Sequence, residues 1–428
     1  MMRFGALSLG VYVLASLAFL LDLIDLLVRL YLRRQHTSGA TPMQRSATSI
    51  ELNVGTFTPI QVEQHLRPFA VITSVHNAVE ELERFVEFSE PFRGQLWVID
   101  DKSSDDTAAR IQAKGIRCIR SGLNQQKPGA LKMLMTILPD TIETVVVLDP
   151  DARILTARQE FIRVLFEFQQ TGMAALSPRI RAAGTGWLAR IQRFEYSLAC
   201  RIGRKSLADF SITSGVAVYR ADALRRVLSE HTLSVYAEDL ENALILLANG
   251  EAIYYDERLV VETDAVETTS RLFSQRVGWH YGLIRVYALR WRTLRRRARL
   301  NFWFAYQYLI YIGVFVLVLH PLKILSLALL ALSAVNGVDN LLGLHAIPDN
   351  RLTSPLYFPI IYLEYVGLML FASMMCVERS EWLSLLPIVP LYPLYSLAHV
   401  VPATMGYLNW FTLRWWGRRV YRDHYQAV

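Results

Sequence analysis

The sequence predicts an α/β domain set between membrane-spanning helices. Three observations point there. Apolar residues cluster at the two ends of the 428-residue chain. The stretch between them alternates short β-rich runs with helical patterns. Acidic residues stand directly after the apolar strands. The whole chain is 53% hydrophobic and 19% charged, against about 25% charged in average soluble domains. That argues against a wholly soluble protein, a disordered one or a secreted mini-domain. The length suggests about two to three domains. Cys118, Cys200 and Cys376 lie far apart. They have neither metal-ligand spacing nor a disulfide framework, which fits a reducing compartment for the polar part.

The first apolar run, residues 5–21, carries no charge, and 22–34 extends it amphipathically. Together they suffice to cross about 30 Å of hydrocarbon, with Asp25 and Arg29 spaced i,i+4 for pairing. No small-x-small cleavage site follows the run, and basic residues come after it rather than mainly before it. The segment therefore reads as an uncleaved anchor rather than a signal peptide. Residues 35–66 are rich in Ser, Thr and Gln and read as a linker. After an ordinary soluble composition over 67–300, apolar spans are expected near 302–319, 323–344, 356–376 and 382–403. The second is weakened by Asn336, Asp339 and Asn340.

Arginine sets the orientation. Arg33 and Arg34 follow the first span. Arg285, Arg290, Arg292, Arg295, Arg296, Arg297 and Arg299 precede the second block, and Arg414, Arg418, Arg419 and Arg422 follow it. All three clusters are expected on the cytoplasmic side of a plasma (inner) membrane, with the 67–300 region inside. The net charge of +7 is thus mainly juxtamembrane and suited to anionic lipid. No nucleic-acid partner is expected.

Within the central region, 69–75 and 95–99 are β-rich, and 79–90 between them has helical periodicity. A helix near 104–113, a strand near 116–120, a helix at 128–137 and a strand at 144–148 continue the alternation. Such a pattern predicts a doubly wound α/β domain, which binds ligands at the carboxyl ends of its strands. One strand ends in Asp100-Asp101 and another in Asp149-Pro150-Asp151. Helix capping accounts for Ser103, Ser104 or Asp105 but not for acids at the strand end itself. The second pair reads either as a solvated turn or as a clamp for a hard cation, since Mg²⁺ favours one or two carboxylates plus substrate phosphates. Glu238-Asp239 opens an amphipathic helix, where capping is the plainer account. In 187–205, Trp187, Ile191, Phe194, Leu198 and Ile202 share a face among arginines. That helix either packs in the core or lies in a membrane interface. Residues 281–300, basic with Tyr287 and Trp291, read as a second interfacial helix, and Trp279 as an interfacial anchor.

Taken in order, Val71–Asn77, Val98–Asp105, Lys127–Leu131, Leu148–Asp151, Thr213–Arg220, Ala237–Asp239 and Gln275–Trp279 resemble the motifs of family 2 glycosyltransferases with a GT-A fold. More narrowly they resemble the membrane-embedded polysaccharide synthases: the cellulose, chitin and hyaluronan synthases and the nodulation chitooligosaccharide synthase. The resemblance implies a GT-A nucleotide-sugar domain inserted between one N-terminal and about four C-terminal membrane helices. It implies Thr73, Asn77, Asp100, Asp101, Lys127, Asp149, Gln275, Arg276 and Trp279 around the nucleotide sugar. Asp149 and Asp151 would hold Mg²⁺ or Mn²⁺. Thr213, Ser214, Gly215 and Trp279 would face the acceptor. Asp239, with Glu238 beside it, would be the general base. An inverting transfer needs one such carboxylate and no covalent nucleophile.

The implied activity is transfer from a UDP-sugar to a growing β-linked polysaccharide, coupled to export. The alternative is transfer of a single sugar to a membrane lipid. An inactive transferase-like partner in a synthase complex is a third class, against which the intact acids speak. The implied division is an anchor at 1–34, a linker at 35–66, the transferase domain at 67–280, an interfacial helix at 281–300, membrane helices at 301–405 and a basic tail at 406–428. Five spans are few for a polymer channel, so a homo-oligomer or an export partner would supply more. One position departs from the pattern. The final motif in the resembled enzymes reads Gln-x-x-Arg-Trp, and Gly278 stands where the arginine belongs. Arg276 points about 200° away on a helix, leaving Arg271 or His280 to compensate, and the processive reading is weakened.

Overall fold

The computed structural model describes residues 6–37, 58–207, 209–343 and 357–426. Most of the expected linker lies outside them. Helix α1 (Ala6–Thr37) is followed by the short α2 (Pro59–His65), opened by a Thr58–Gln61 capping box. The α/β domain then runs β1 (Phe69–Val75), α3 (Val79–Ser89), β2 (Leu96–Asp100), α4 (Thr107–Ala113), β3 (Arg117–Arg120), α5 (Gln126–Ile137) and β4 (Thr144–Val147). These elements fall within a few residues of the sequence expectation.

The remainder of the domain adds antiparallel strands. It runs β5 (Ala152–Ile154), α6 (Arg158–Gln169), β6 (Ala175–Ala182), α7 (Trp187–Leu198), β7 (Ala217–Arg220), α8 (Ala221–Glu230), α9 (Glu238–Ala248) and β8 (Ile253–Thr263). The sheet is mixed, in the order β3-β2-β1-β4-β7-β6-β8-β5. The first four strands in that order are mutually parallel. β7 runs antiparallel to both β4 and β6, and β5 antiparallel to β8. Strand pairing over such distances leaves no local pattern to read.

The strands are apolar on both faces because both are covered. Along β1, Ala70 and Ile72 pack with Leu131 and Leu134 of α5 and Leu224 of α8. Val71 and Val75 alternate to the other side, against Phe85 of α3 and Phe161 and Leu165 of α6. The packing reaches Val75 and Val147 at the strand ends, and the polar residues Asn77, Asp100, Asp101, Asp149 and Asp151 stand at or just past the carboxyl ends of β1, β2 and β4.

After β8 a single helix, α10 (Thr269–Ala298), continues for 30 residues from its Thr268 N-cap. It passes without a break through the expected boundary at 280/281. Its arginines divide. Arg290 pairs with the buried Glu241 of α9 at 2.7 Å, and Arg285 approaches the same carboxylate at 3.7 Å. Arg292, Arg295, Arg296 and Arg299 are exposed.

Beyond α10 come the short turns α11 (Phe302–Ala305) and α12 (Tyr311–Val314), linked by π-helical turns to α13 (His320–Leu342). Then follow α14 (Tyr357–Cys376), α15 (Trp382–Leu385), α16 (Tyr392–Ala398) and α17 (Val400–Trp416). The spans expected at 302–319 and 323–344 join into one apolar run, Tyr306–Asp339. Pro321 lies in the first turn of α13, where the missing N–H is harmless. The span expected at 382–403 is broken: Arg379–Ile388 and Tyr392–Trp416 meet at 62°. Among the described residues, two helices are long and apolar enough to cross a membrane, Tyr306–Asp339 and Pro359–Cys376, or three with the bent pair counted as one. α1 lies beside them, with Asp22 on Lys323 at 2.9 Å and Phe19 edge-on to Tyr365.

The α7 segment joins the two parts. Phe194 and Ile202 are buried against Leu26, Leu368, Ala372 and Cys376 of the apolar helices, with Leu198 packed on that cluster. Trp187, expected on the same face, is 57% exposed. Two glycines bring α10 close to its neighbours. A Cβ on Gly406 of α17 would come within 2.7 Å of the Val277 carbonyl oxygen, and one on Gly282 within 2.8 Å of Ala237.

Candidate active site

The strand-end acids divide into two groups. Asp100, fully buried at the end of β2, accepts from the Ser103 backbone N–H and hydroxyl and pairs with Arg120 at 3.2 Å. Asp101 accepts from the Gln125 N–H at 2.8 Å and fixes the turn into α5. Asn77, in the left-handed region at φ 50°, accepts from the Ser104 N–H at 2.8 Å, while its own N–H donates to Ser103. Thr73 is buried inside β1. Asp100, Asp101 and Asn77 shape one rim, each largely occupied with the loop that holds it, whereas the buried Thr73 hydroxyl has no hydrogen-bond partner among the described residues.

The second group converges. Lys127, in the first turn of α5, places its Nζ 2.5 Å from Asp149 and 2.9 Å from Glu238, and donates to the Gly215 carbonyl at 3.2 Å. Gly215 is required: a Cβ there would lie 2.1 Å from an Asp149 oxygen and 3.3 Å from Lys127 Nζ. Thr213 donates to the Asp239 carbonyl at 2.8 Å, and Ser214 to that of Val216. The Thr-Ser-Gly loop therefore lies between the strand acids and the α9 acids. Asp239 accepts from the Leu240 N–H at 2.8 Å. Ala237, the residue before the acid pair, is left-handed at φ 54°. α10 packs against that turn through Gly282.

Charge is unbalanced here. Burial would release the Lys127 proton, but Asp149 and Glu238 outweigh it and hold the ammonium firmly charged. Burial, with repulsion from Asp151 and Glu238, lifts Asp149 to about 6 despite Lys127. Burial, then Glu238, lifts Asp239 well above the ordinary carboxylate range. Four carboxylates thus face one lysine.

That acid excess fits a divalent cation. Among the described residues no group of three or more His, Cys, Asp or Glu side chains comes together as a metal cage. Mg²⁺ and Mn²⁺ need none, since one or two carboxylates and phosphate oxygens suffice. Asp149 and Asp151 are the pair available, and Thr263 donates to Asp151 at 2.6 Å to orient it.

The motif on α10 turns two ways. Arg276 is buried, pairs with Glu195 of α7 at 2.6 Å and stacks on Trp279 at 3.9 Å. Trp279 itself is 39% exposed, and Gln275 keeps a buried carbonyl oxygen without a partner. His280 does not take the place of the absent arginine. It faces α17, with its Nε2 3.1 Å from that of His399, and burial keeps it neutral.

Sequence reasoning missed the residues that stand in front of Gly278. A Cβ there would meet His424 at 2.9 Å and Tyr425 at 3.4 Å. Tyr236 stacks edge-on with Tyr281 and Tyr425 at 4.7 and 4.9 Å. The tail, read as a basic cluster, offered no local signal for this. Its aromatic and acidic residues act only once the chain has folded back.

No family model matches the sequence, and no curated protein matches it. Among solved structures, it is similar to the mannosyltransferase PcManGT from Pyrobaculum calidifontis, solved with GDP-Man and Mn²⁺. The two share 16% identity over 94% of this chain and 99% of that one, with a TM-score of 0.56. A mycobacterial protein aligns over 54% of this chain and 79% of its own at 16% identity and TM-score 0.40. Glucosyl-3-phosphoglycerate synthase from Mycobacterium tuberculosis, in complex with phosphoglyceric acid, aligns over 54% and 84% at 17% identity and TM-score 0.38. The likeness to the first is one of fold: an α/β fold with a mixed sheet resembling the GT-A glycosyltransferases.

Proposed function

We propose that this chain is a membrane-associated, metal-dependent inverting glycosyltransferase that moves one sugar from a nucleoside diphosphate sugar to a membrane-lipid acceptor on the cytoplasmic face. The observation that carries the reading is the convergence of Asp149, Glu238 and Lys127 across the Gly215 gap, with Asp239 one residue further on. In this reading the acceptor hydroxyl oxygen attacks the anomeric carbon. The bond to the diphosphate oxygen breaks, and the hydroxyl proton passes to Asp239. A base with a raised pKa suits proton abstraction near neutral pH. Lys127 holds Asp149 and Glu238 in place and supplies a fixed positive charge beside the leaving group. A cation at Asp149 and Asp151 would neutralise charge on the departing diphosphate. Asn77, Asp100 and Asp101 shape the nucleotide rim.

The lipid acceptor is favoured over a polymer because the two or three long apolar helices among the described residues are few to enclose a growing chain, and the C-terminal tail fills the ground before Gly278. The mannosyltransferase that shares the fold holds GDP-Man, so both UDP- and GDP-sugars belong in the donor screen. The test is release of nucleoside diphosphate by the full-length protein in detergent, with and without Mn²⁺ and a membrane lipid extract. Asp239→Asn is expected to lower transfer about 10²–10⁴-fold while UDP·Mn²⁺ or GDP·Mn²⁺ still binds. Wild-type turnover in that variant refutes the base assignment. A long polymer, in place of a single chloroform-soluble glycolipid, overturns the acceptor class.

A further inference from the structure

The C-terminal tail is built into the protein by a specific set of bonds. α17 ends at Gly417, left-handed at φ 65°, and the chain turns back along the helix. Asn409, fully buried in α17, clamps the returning backbone. Its oxygen accepts from the N–H groups of Val420 and Tyr421 at 2.9 and 3.0 Å, and its amide donates to the Tyr421 carbonyl at 2.8 Å. Arg419 then donates to the Tyr236 hydroxyl at 2.6 Å and to Asp423 at 2.8 Å, and stacks over Tyr236 and Tyr281. Tyr236 donates in turn to Asp423 at 2.9 Å. Asp423, 1% exposed, accepts the Tyr425 N–H at 3.1 Å. Phe273 and Tyr421 meet edge-on at 5.1 Å.

The strap delivers one side chain to the site. The Tyr425 ring packs on Tyr236, two residues before Glu238, and over Gly278 of α10. Its phenol lies within electrostatic range of Glu238, Asp239, Lys127 and Asp149. A side chain larger than hydrogen at position 278 would push His424 and Tyr425 away. The glycine and the strap therefore belong together.

We propose that Tyr425, held by the strap Arg419–Tyr425, is a positioning residue that forms the acceptor-side wall of the site beside Glu238 and Asp239. An aromatic ring there gives the acceptor a flat apolar surface to lie on and keeps water from the hydroxyl's place. This rests on the transferase reading of the site.

Two measurements on the full-length protein separate the strap from that reading. The first needs no activity. In a Cys118→Ser background, Tyr425→Cys is expected to react with a maleimide at least tenfold more slowly than a control Arg418→Cys at an exposed position. Adding Gly278→Leu should restore fast labelling. Equal rates at 425 and 418 show an unseated strap and overturn the proposal. The second uses the donor that the wild type consumes. Tyr425→Phe should keep transfer within about threefold. Tyr425→Ala and Asp423→Asn should lose transfer about tenfold or more, gain hydrolysis of the donor by water, and bind UDP·Mn²⁺ or GDP·Mn²⁺ as the wild type does. Unchanged transfer and hydrolysis in Tyr425→Ala, or a parallel loss of nucleotide binding, overturns the wall. A wild type that releases nucleoside diphosphate from no donor refutes the transferase reading, while slow labelling at 425 would still stand.

Discussion

Gly215→Ala tests the site through a single methyl group. The added Cβ would stand 2.1 Å from an Asp149 oxygen and 3.2 Å from its carboxyl carbon. Comfortable heavy-atom contacts lie near about 3.5 Å, so the carboxylate must withdraw by roughly 1.4 Å. It is the far end of a short side chain, so the fold absorbs the move at about 1–3 kcal/mol, the usual range for an overpacked site. The site does not absorb it. Asp149 is the partner of Lys127 at 2.5 Å and one of two carboxylates available to a cation. A displacement of about 1 Å at a reacting centre costs on the order of 10²-fold in rate, equivalent to about 2.7 kcal/mol of barrier. The assay is nucleoside diphosphate release against Mn²⁺ concentration, with thermal unfolding followed in parallel. The expected result is a rate lower by about two decades, a weaker Mn²⁺ response and a near-native unfolding midpoint. Wild-type rate and Mn²⁺ dependence in Gly215→Ala would show that Asp149 is not part of the machinery.

Three further outcomes follow from the same geometry. Asp149 titrates near 6 in the fold and near 3.9 when unfolded, so the native state binds the extra proton. In the metal-free protein its contribution to stability is present at low pH and is lost as pH rises from about 4 to about 6. Unfolding midpoints should show that slope in the wild type and lose it in Asp149→Asn; a common slope refutes the assignment. Glu241 is buried among Arg290, Arg285, Thr232 and His231. Glu241→Ala, which leaves the half-buried Arg285 and Arg290 without their carboxylate, should destabilise by about 1–3 kcal/mol, read by denaturant titration, and an unchanged midpoint would sink that account. Gly406→Leu should force α17 off α10, where a Cβ already meets the Val277 carbonyl oxygen at 2.7 Å, and should expose the tail to limited proteolysis. An unchanged cleavage pattern would count against the close packing.

The half of the domain up to β4 was legible because local periodicity and strand-end acids reinforce each other. The mixed half was not, because β7 finds β4 and β6, and β5 finds β8, across long stretches of chain. Lys127, Asp149, Gly215 and Glu238, drawn from four separate motifs, come together in the fold. Asp100 and Asp101 could not be told in advance to spend themselves on Ser103 and Gln125. The arginine-rich stretch divides in a way no count reveals. Charge counting cannot show that Arg285 and Arg290 turn inward to Glu241 while their neighbours stay exposed. Nor does any spacing announce that a tyrosine three residues from the end of the sequence reaches a glycine on α10.

The continuity of α10 has a structural consequence. Thirty residues at 1.5 Å each make a helix of about 45 Å. One end carries exposed Arg292, Arg295, Arg296 and Arg299; near the other, Gly278 and Gly282 touch the strap and the turn before Glu238. The exposed arginines and the surface that meets the strap and the turn before Glu238 therefore belong to one continuous helix.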